Sequence, residues 1–172
     1  MGIYTTSYTS PCGQIELSAD ESALLELSLP GQPHRFALQG HAGETEVLIR
    51  TKQWLDRYFG GEQPSPEELP LNPHGSAFAQ RVWKLLLEIP YGATCSYGAL
   101  ARYLAEERGI PKLSAQAVGH AVGQNPIVIV IPCHRVIGSN GSLVGYAGGL
   151  ERKRFLLEYE KAVLAERGME KG

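Results

Sequence analysis

A cysteine followed directly by a histidine, Cys133-His134, closes a run of five branched apolar residues, Ile127 to Ile131, that ends in Pro132. A thiol becomes a strong nucleophile only as thiolate, so a cysteine beside a potential base has the residue types that nucleophilic chemistry requires. The apolar run between prolines predicts a short interior strand that carries the pair from the core to its edge. The second chemical signal is Glu160. It falls on the same helical face as Leu156, Leu157, Val163 and Leu164, and a carboxylate in an apolar stripe needs a partner because an unpaired buried charge is costly. An arginine would make that partner structural and an imidazole would make it functional; the sequence leaves both open.

The chain that must position these groups has 172 residues, of which 43% are hydrophobic and 20% charged. It is long enough for one domain or two small ones with a real core. No apolar run has spanning length and the N-terminus lacks the pattern of a secretion signal, so a cytoplasmic, intracellular protein is expected. Three widely spaced cysteines, Cys12, Cys95 and Cys133, argue against a disulfide framework and against a paired-cysteine zinc site. Charge is divided unevenly. Residues 1–72 carry 4 Lys+Arg against 10 Asp+Glu, net −6, and residues 73–172 carry 12 against 8, net +4. The basic half is compatible with nucleic acid and equally with a solvated face of one sign.

Ile3 to Tyr8, Gln14 to Ser18 and Leu24 to Leu29 predict a small antiparallel meander, with turns at Pro11-Cys12-Gly13 and Asp20-Glu21-Ser22. Val47, Leu48, Thr51, Trp54, Leu55 and Tyr58 then share one face of a helix over 44–59, which Gly60-Gly61 ends. The proline-rich stretch at about 60–75 reads as a linker between a first domain, 1–72, and a second, 73–172. His34 and His41 read as solvated loop histidines. In the second domain Ser76, Ser96 and Ser114 cap three helices. The last two, across a turn segment, have the outline of a helix-turn-helix. Ala115, Ala117, Gly119, Ala121 and Gly123 make the third helix smooth, so that another backbone, helical or nucleic acid, can approach it. Ser139 to Ser142 forms a turn, and a glycine-rich loop leads into a final helix from about 150 to 166.

Ile-Pro-Cys-His-Arg-Val at 131–136 resembles the active-site signature of the O6-alkylguanine-DNA alkyltransferases. The likeness runs from Phe78 through IPYGATCSYGALA, AVGHAVGQNP and YAGGLERKRFLLEYE to Glu160. In the first domain it is looser, in SPCGQIELS and the helix containing Trp54. The resemblance implies an α+β protein with a ribonuclease-H-like N-terminal sheet and helix, and a mainly helical C-terminal domain of winged-helix type. The sequence offers no metal site, and no cofactor is expected; the resemblance implies a partner that is double-stranded DNA containing O6-alkylguanine, bound through the minor groove with the base flipped. Cys133 would accept the alkyl group in a single turnover, His134 would act as base through a water, and Glu160 would orient His134. Asn125 would tie the recognition helix to the active-site strand, and Tyr97 would contact guanine N3 and donate a proton. Val136, Tyr146 and Ala147 would cradle the base, while Ser96, Ala115, Gln116, Ala117, Gly119 and Arg135 would face DNA. A monomer is expected. Cooperative assembly on DNA, the range of alkyl groups and action on O4 of thymine are left open.

Two positions depart from the family pattern. Ala147 stands where many relatives have serine, leaving only a backbone N–H for O6. Gln116 stands where the family has an arginine that fills the gap left by the flipped base, which removes a cation from the DNA face. The rival readings are a Cys-His hydrolase, a non-catalytic alkyltransferase-like lesion binder and a helix-turn-helix regulator. Neighbouring residues on a strand point oppositely, which disfavours the first. Loss of the cysteine characterises the second, and Cys133 is present.

Overall fold

The computed structural model describes residues 2–32, 36, 40–146 and 148–171. The chain divides into two compact units, Met1–His74 with Pro126–Val130, and Gly75–Asn125 with Ile131–Gly172. His34 and Ala147 lie outside the described residues.

The first unit is a four-stranded sheet and one helix. Strands β1 (Tyr4–Ser10), β2 (Gly13–Ala19) and β3 (Leu24–Ser28) form the expected antiparallel meander, and β4 (His41–Ala42) adds in parallel to β1, giving the order β3-β2-β1-β4. His41 is therefore an exposed residue of a short strand rather than of a loop. Thr45 caps helix α1 (Glu46–Phe59) by accepting from the Leu48 N–H, and the six residues expected to share a face are all buried. β3 is a sheet edge, yet every residue in it is buried. Two segments cover that edge: Leu24 bridges Leu71, and Leu27 bridges Ile127. The proline-rich stretch is thus not a free linker. Ser65 and Glu68 form a capping box on a 3-10 turn, Leu69 is buried, and Pro70 and Asn72 exchange backbone hydrogen bonds with Leu24. An edge whose N–H and C=O groups are paired in this way no longer offers a template for other chains.

The apolar run 127–131 is buried throughout, at 0–2% exposure, but it is not the strand that its composition predicts. Only Ile127 makes a ladder contact. The Val130 N–H then donates back to Val128 O at 2.8 Å, a three-residue turn centred on Ile129, whose φ is +71°. Positive φ is a steric outlier for a β-branched side chain, and surrounding packing must hold it there. Total burial satisfied the hydrophobic pattern while the backbone turned.

In the second unit, α2 (Ala77–Leu86), α3 (Tyr97–Arg108) and α4 (Ala115–Gly123) start at Ser76, Ser96 and Ser114, each of which accepts from N–H groups of its first turn. Gly109, at φ +67°, ends α3 in the left-handed region that glycine tolerates. The Trp83 indole N–H donates to Ala121 O at 2.9 Å and ties α2 to α4 inside the core. A short parallel ladder pairs β5 (Cys95–Ser96) with β6 (Val136–Ile137). The final helix, α5, runs Leu150–Lys171, longer than expected, and Leu164 is 39% exposed rather than inward. Among the described residues, no helix is long and apolar enough to cross a membrane.

The Ser114 hydroxyl accepts from the Gln116 and Ala117 N–H groups, and α4 contains two glycines, Gly119 and Gly123, and two valines, Val118 and Val122, all of poor helix propensity. Ser114→Ala is therefore expected to destabilise the protein by about 1 kcal/mol, read as a lower urea midpoint with an unchanged denaturant slope.

Candidate active site

Cys133 and His134 lie on a single 3-10 turn, Cys133–Arg135, directly after Pro132. All three residues of this turn are buried. Three contacts set its position. The Cys133 N–H donates to Ile131 O at 2.8 Å, and Asn125, two residues past the end of α4, donates its side-chain N–H to the same carbonyl at 2.8 Å. On the far side Val136 enters the ladder with Cys95, which brings the start of α3, and so Tyr97, toward the turn.

Behind the turn is a buried ion network centred on Glu160. Its carboxylate accepts from His134 Nε2 at 2.7 Å and from the Gly92 backbone N–H at 3.0 Å. Arg135 grips it with two nitrogens, Nε at 2.8 Å and Nη2 at 3.0 Å, and donates Nη1 to Ile89 O. Bidentate guanidinium–carboxylate pairs are the strongest such contacts a protein makes. Arg135 was expected at the DNA surface; it lies in the interior instead, with its fork committed to Glu160. Both partners that the sequence left open for Glu160, arginine and imidazole, are therefore present at once. Gly92 belongs to the same device. Its φ is +78°, and a Cβ there would lie 2.1 Å from a Leu164 methyl carbon.

The electrostatics follow from burial. Burial pushes the Glu160 carboxyl up, but the bonds and charges of its partners more than reverse this and hold it well below the carboxylate range. For His134, burial drives the imidazole below its ordinary value, with Arg135 and Lys153 adding to the fall and Glu160 opposing it. The His134 hydrogen bond and the Arg135 guanidinium together keep Glu160 ionised. With the Nε2 proton donated in a hydrogen bond to the carboxylate, Nδ1 is left as an acceptor, and it is buried without a partner among the described residues. Burial likewise pushes the Cys133 thiol up to about 11, against the lowering effects of Asn125 and Lys153.

Tyr97 is half-buried, and its hydroxyl donates to Val144 O at 3.1 Å. Burial, and then the neighbouring Cys133, raise its pKa, so it stays protonated at neutral pH. Val136 is fully buried and Tyr146 partly so. Ser96 uses its hydroxyl to cap α3. Ala115, Gln116 and Ala117 are exposed, and a Cβ at Gly119 would meet the Tyr97 ring at an ordinary contact distance of 3.6 Å, so the packing there does not require glycine. Among the described residues no cluster of three or more histidine, cysteine or acidic side chains has the arrangement to hold a metal.

The second unit matches the family described as 6-O-methylguanine DNA methyltransferase, DNA binding domain, over residues 77–162; the first matches its ribonuclease-like domain over residues 3–73. The methylated-DNA–protein-cysteine methyltransferase of Haemophilus influenzae is 37% identical over 98% of this chain and 92% of its own. The chain belongs to the 6-O-methylguanine DNA methyltransferase family. Within that family, the Mycobacterium leprae methylated-DNA–protein-cysteine methyltransferase is 43% identical over 92% of this chain and 93% of its own. The crystal structure of Mycobacterium tuberculosis OGT in complex with DNA superposes with a TM-score of 0.80 at 40% identity, covering 93% of this chain and 94% of that one. The methyltransferase fold is thus present in both halves, and the described C-terminal unit contains the whole Cys133–His134–Glu160 set.

One residue of the site escaped sequence reasoning. Lys153 is completely buried, with Nζ 2.9 Å from Val144 O and 3.5 Å from Tyr97 Oη. It lies seven residues before Glu160 on the same apolar face of α5, so the periodicity that singled out Glu160 singles it out too.

The network has a pH signature. His134 has a folded pKa below its ordinary 6.5, and Glu160 one below its ordinary 4.5. Each contributes stability that is present above its unfolded value and is lost as pH falls toward its folded value. Unfolding free energy should therefore decline as pH falls below about 6.5 and again below about 4.5. Denaturant unfolding from pH 8 to 4 measures this, and His134→Asn should remove the upper decline while leaving the lower one.

Proposed function

We propose that this protein repairs O6-alkylguanine in double-stranded DNA by direct transfer of the alkyl group to Cys133, and that each molecule acts once. The observation that carries the reading is His134, locked to an ionised Glu160 through Nε2, with a bare Nδ1 in the core and the thiol on the adjacent residue. A thiol with a pKa of about 11 is roughly one part in ten thousand thiolate at pH 7. A base is therefore needed at the moment of reaction. Through one water, Nδ1 takes the Cys133 proton, and Glu160 stabilises the imidazolium that forms. The sulfur then attacks the alkyl carbon. The S–C bond forms as the C–O6 bond breaks, and the electron pair leaves with the guanine, which takes a proton at N3 from the Tyr97 hydroxyl. The product is a thioether with no carbonyl for water to attack, so Cys133 is spent.

The roles of the other residues belong to the same proposal. α4 enters the minor groove with Ala115, Gln116, Ala117 and Gly119 at the backbone, alongside Ser96 at the start of α3. Val136, Tyr146 and Ala147 receive the flipped base, and Asn125 keeps the acceptor turn at the end of α4. Extrusion of the base is required because an alkyl group on O6 points into the major groove while the base is paired, and a damaged pair lowers the cost. The protein binds as a monomer and resides inside the cell. The hydrolase, the lesion binder and the regulator are disfavoured by the family relationship and by the retained acceptor thiol.

The deciding experiment is transfer of a labelled methyl group from O6-methylguanine DNA to protein. One equivalent bound per molecule with no turnover is expected, and none with Cys133→Ala; catalytic release of product, or no transfer at all, would refute the reading. Gln116→Arg restores a cation to the DNA face. It should tighten DNA binding several-fold at low salt and steepen the salt dependence by about one unit of slope. If neither affinity nor transfer rate moved, Gln116 would not occupy the position left by the base.

A further inference from the structure

Helix α4 carries no lysine, arginine, aspartate or glutamate. Outside its buried Val118, Ala121 and Val122, it is alanine and glycine at every position but two, Gln116 and His120. Side chains four residues apart are neighbours on a helix surface, and both of these are exposed. The buried positions lie on the opposite side, so Gln116 and His120 project together from the part of α4 farthest from the core. Among the described residues His120 makes no hydrogen bond, ion pair or ring contact. Its imidazole is uncommitted, unlike that of His134, which is buried against Glu160.

We propose that His120 is a DNA-contact residue: as imidazolium it meets a phosphate at the wall of the minor groove and supplies the one positive side chain that α4 can offer. The inference rests on the reading that α4 enters the minor groove, and deepens it. An α-helix is about 10 Å across and the minor groove about 6 Å wide, so a helix laid against the groove rests on its sugar–phosphate walls. Alanine and glycine let the α4 backbone come close. With Gln116 in the groove, the next projection along the helix, His120, stands at a wall. The cation missing at position 116 is thus replaced, one turn on, by a cation that depends on pH, because histidine is the side chain whose charge ordinarily changes between about pH 5 and 8. A phosphate favours the charged imidazole, so binding is linked to uptake of a proton and strengthens as pH falls. The helices packed against α4 are α2 and α3. Their charged side chains are Arg81, Lys84, Arg102, Glu106, Glu107 and Arg108. Arg81 and Glu107 pair with each other, Arg108 lies over the Phe78 ring, and none forms an ion pair with His120. Tyr97, whose ring lies beside Gly119, stays protonated at neutral pH. The partner that sets the charge of His120 in the complex is therefore the DNA.

Equilibrium binding of the full-length protein to a short, undamaged, rhodamine-labelled duplex, followed by anisotropy from pH 8 to pH 6 at fixed ionic strength, tests the role. At about 0.1 M salt one added phosphate contact is worth several-fold in affinity, so the wild-type protein should bind about fivefold more tightly at pH 6 than at pH 8, with a salt dependence steeper by about one unit of slope at the lower pH. His120→Gln keeps a hydrogen-bonding side chain without the charge; it and His120→Ala should vary by less than about twofold over the same range. His120→Lys carries its cation throughout and should bind at pH 8 about as tightly as the wild type does at pH 6. The position is exposed, so these substitutions leave the core as it is. The same pH ratio in the wild type and His120→Gln overturns the proposal, as does a His120→Lys protein that binds no more tightly than the wild type at pH 8. Methyl transfer from O6-methylguanine DNA is read in parallel on the wild type. Its absence beside intact pH-dependent binding would defeat the alkyl-transfer reading alone, whereas transfer beside pH-independent binding would overturn the role of His120 alone.

Discussion

The carboxylate of Glu160 is the constraint on which the second unit depends. It has no contact with solvent, and an unpaired charge there would be untenable. The structure answers with a guanidinium, an imidazole and a backbone N–H, brought from two separate places in the chain: the turn that holds Cys133, and the loop after α2. Each partner then acquires a fixed position as a by-product of satisfying the charge. His134 has one nitrogen committed, so the other must face the opposite way. Arg135 is drawn inward. The 89–92 loop must bring a backbone N–H close to α5, which only glycine allows at position 92.

Sequence periodicity revealed most of what a pattern of period 2 or 3.6 can encode. The six-residue stripe of α1, the three serine caps and the antiparallel meander follow from side chains whose preferences are local and agree with their surroundings. The segment 127–131 defeats the same method for a physical reason. A run of branched apolar residues specifies burial, and burial is compatible with an extended strand or with a turn packed on every side. Propensity even points the wrong way, since isoleucine resists the positive φ that Ile129 adopts. Backbone pairing of the neighbouring residues with β3, within the first unit, overrides it. β4, with two residues, is too short to leave a periodic trace.

For the site, residue types were more legible than positions. Glu160 was visible because a carboxylate in an apolar stripe contradicts its surroundings. Lys153 contradicts them just as strongly, but a long aliphatic stem lets lysines on such stripes reach water, so the contradiction is not evident until burial is seen. Arg135 shows the converse difficulty. A basic residue beside an acceptor cysteine in a DNA-binding domain invites a phosphate contact, and only the three-dimensional count of charges around Glu160 reveals that the fold needs that cation itself.

The same charges account for a protein built to react once. A catalyst that turns over gains from a nucleophile kept partly ionised between cycles, and a cysteine of that kind would be exposed to every oxidant and electrophile in its surroundings. Here burial favours the protonated Cys133 thiol and the neutral His134 imidazole. The ionised partner is Glu160, one step removed from the thiol and unable to react in its place. In the proposed transfer, reactivity would depend on arrival of a base that displaces the balance, drawing the thiol proton toward Nδ1 and charge outward to a leaving group beside Tyr97. An acceptor that cannot be regenerated has most to lose from reacting with the wrong partner, and a core with a neutral thiol and a pre-ionised counter-ion is the physical arrangement that delays ionisation until the right one is in place.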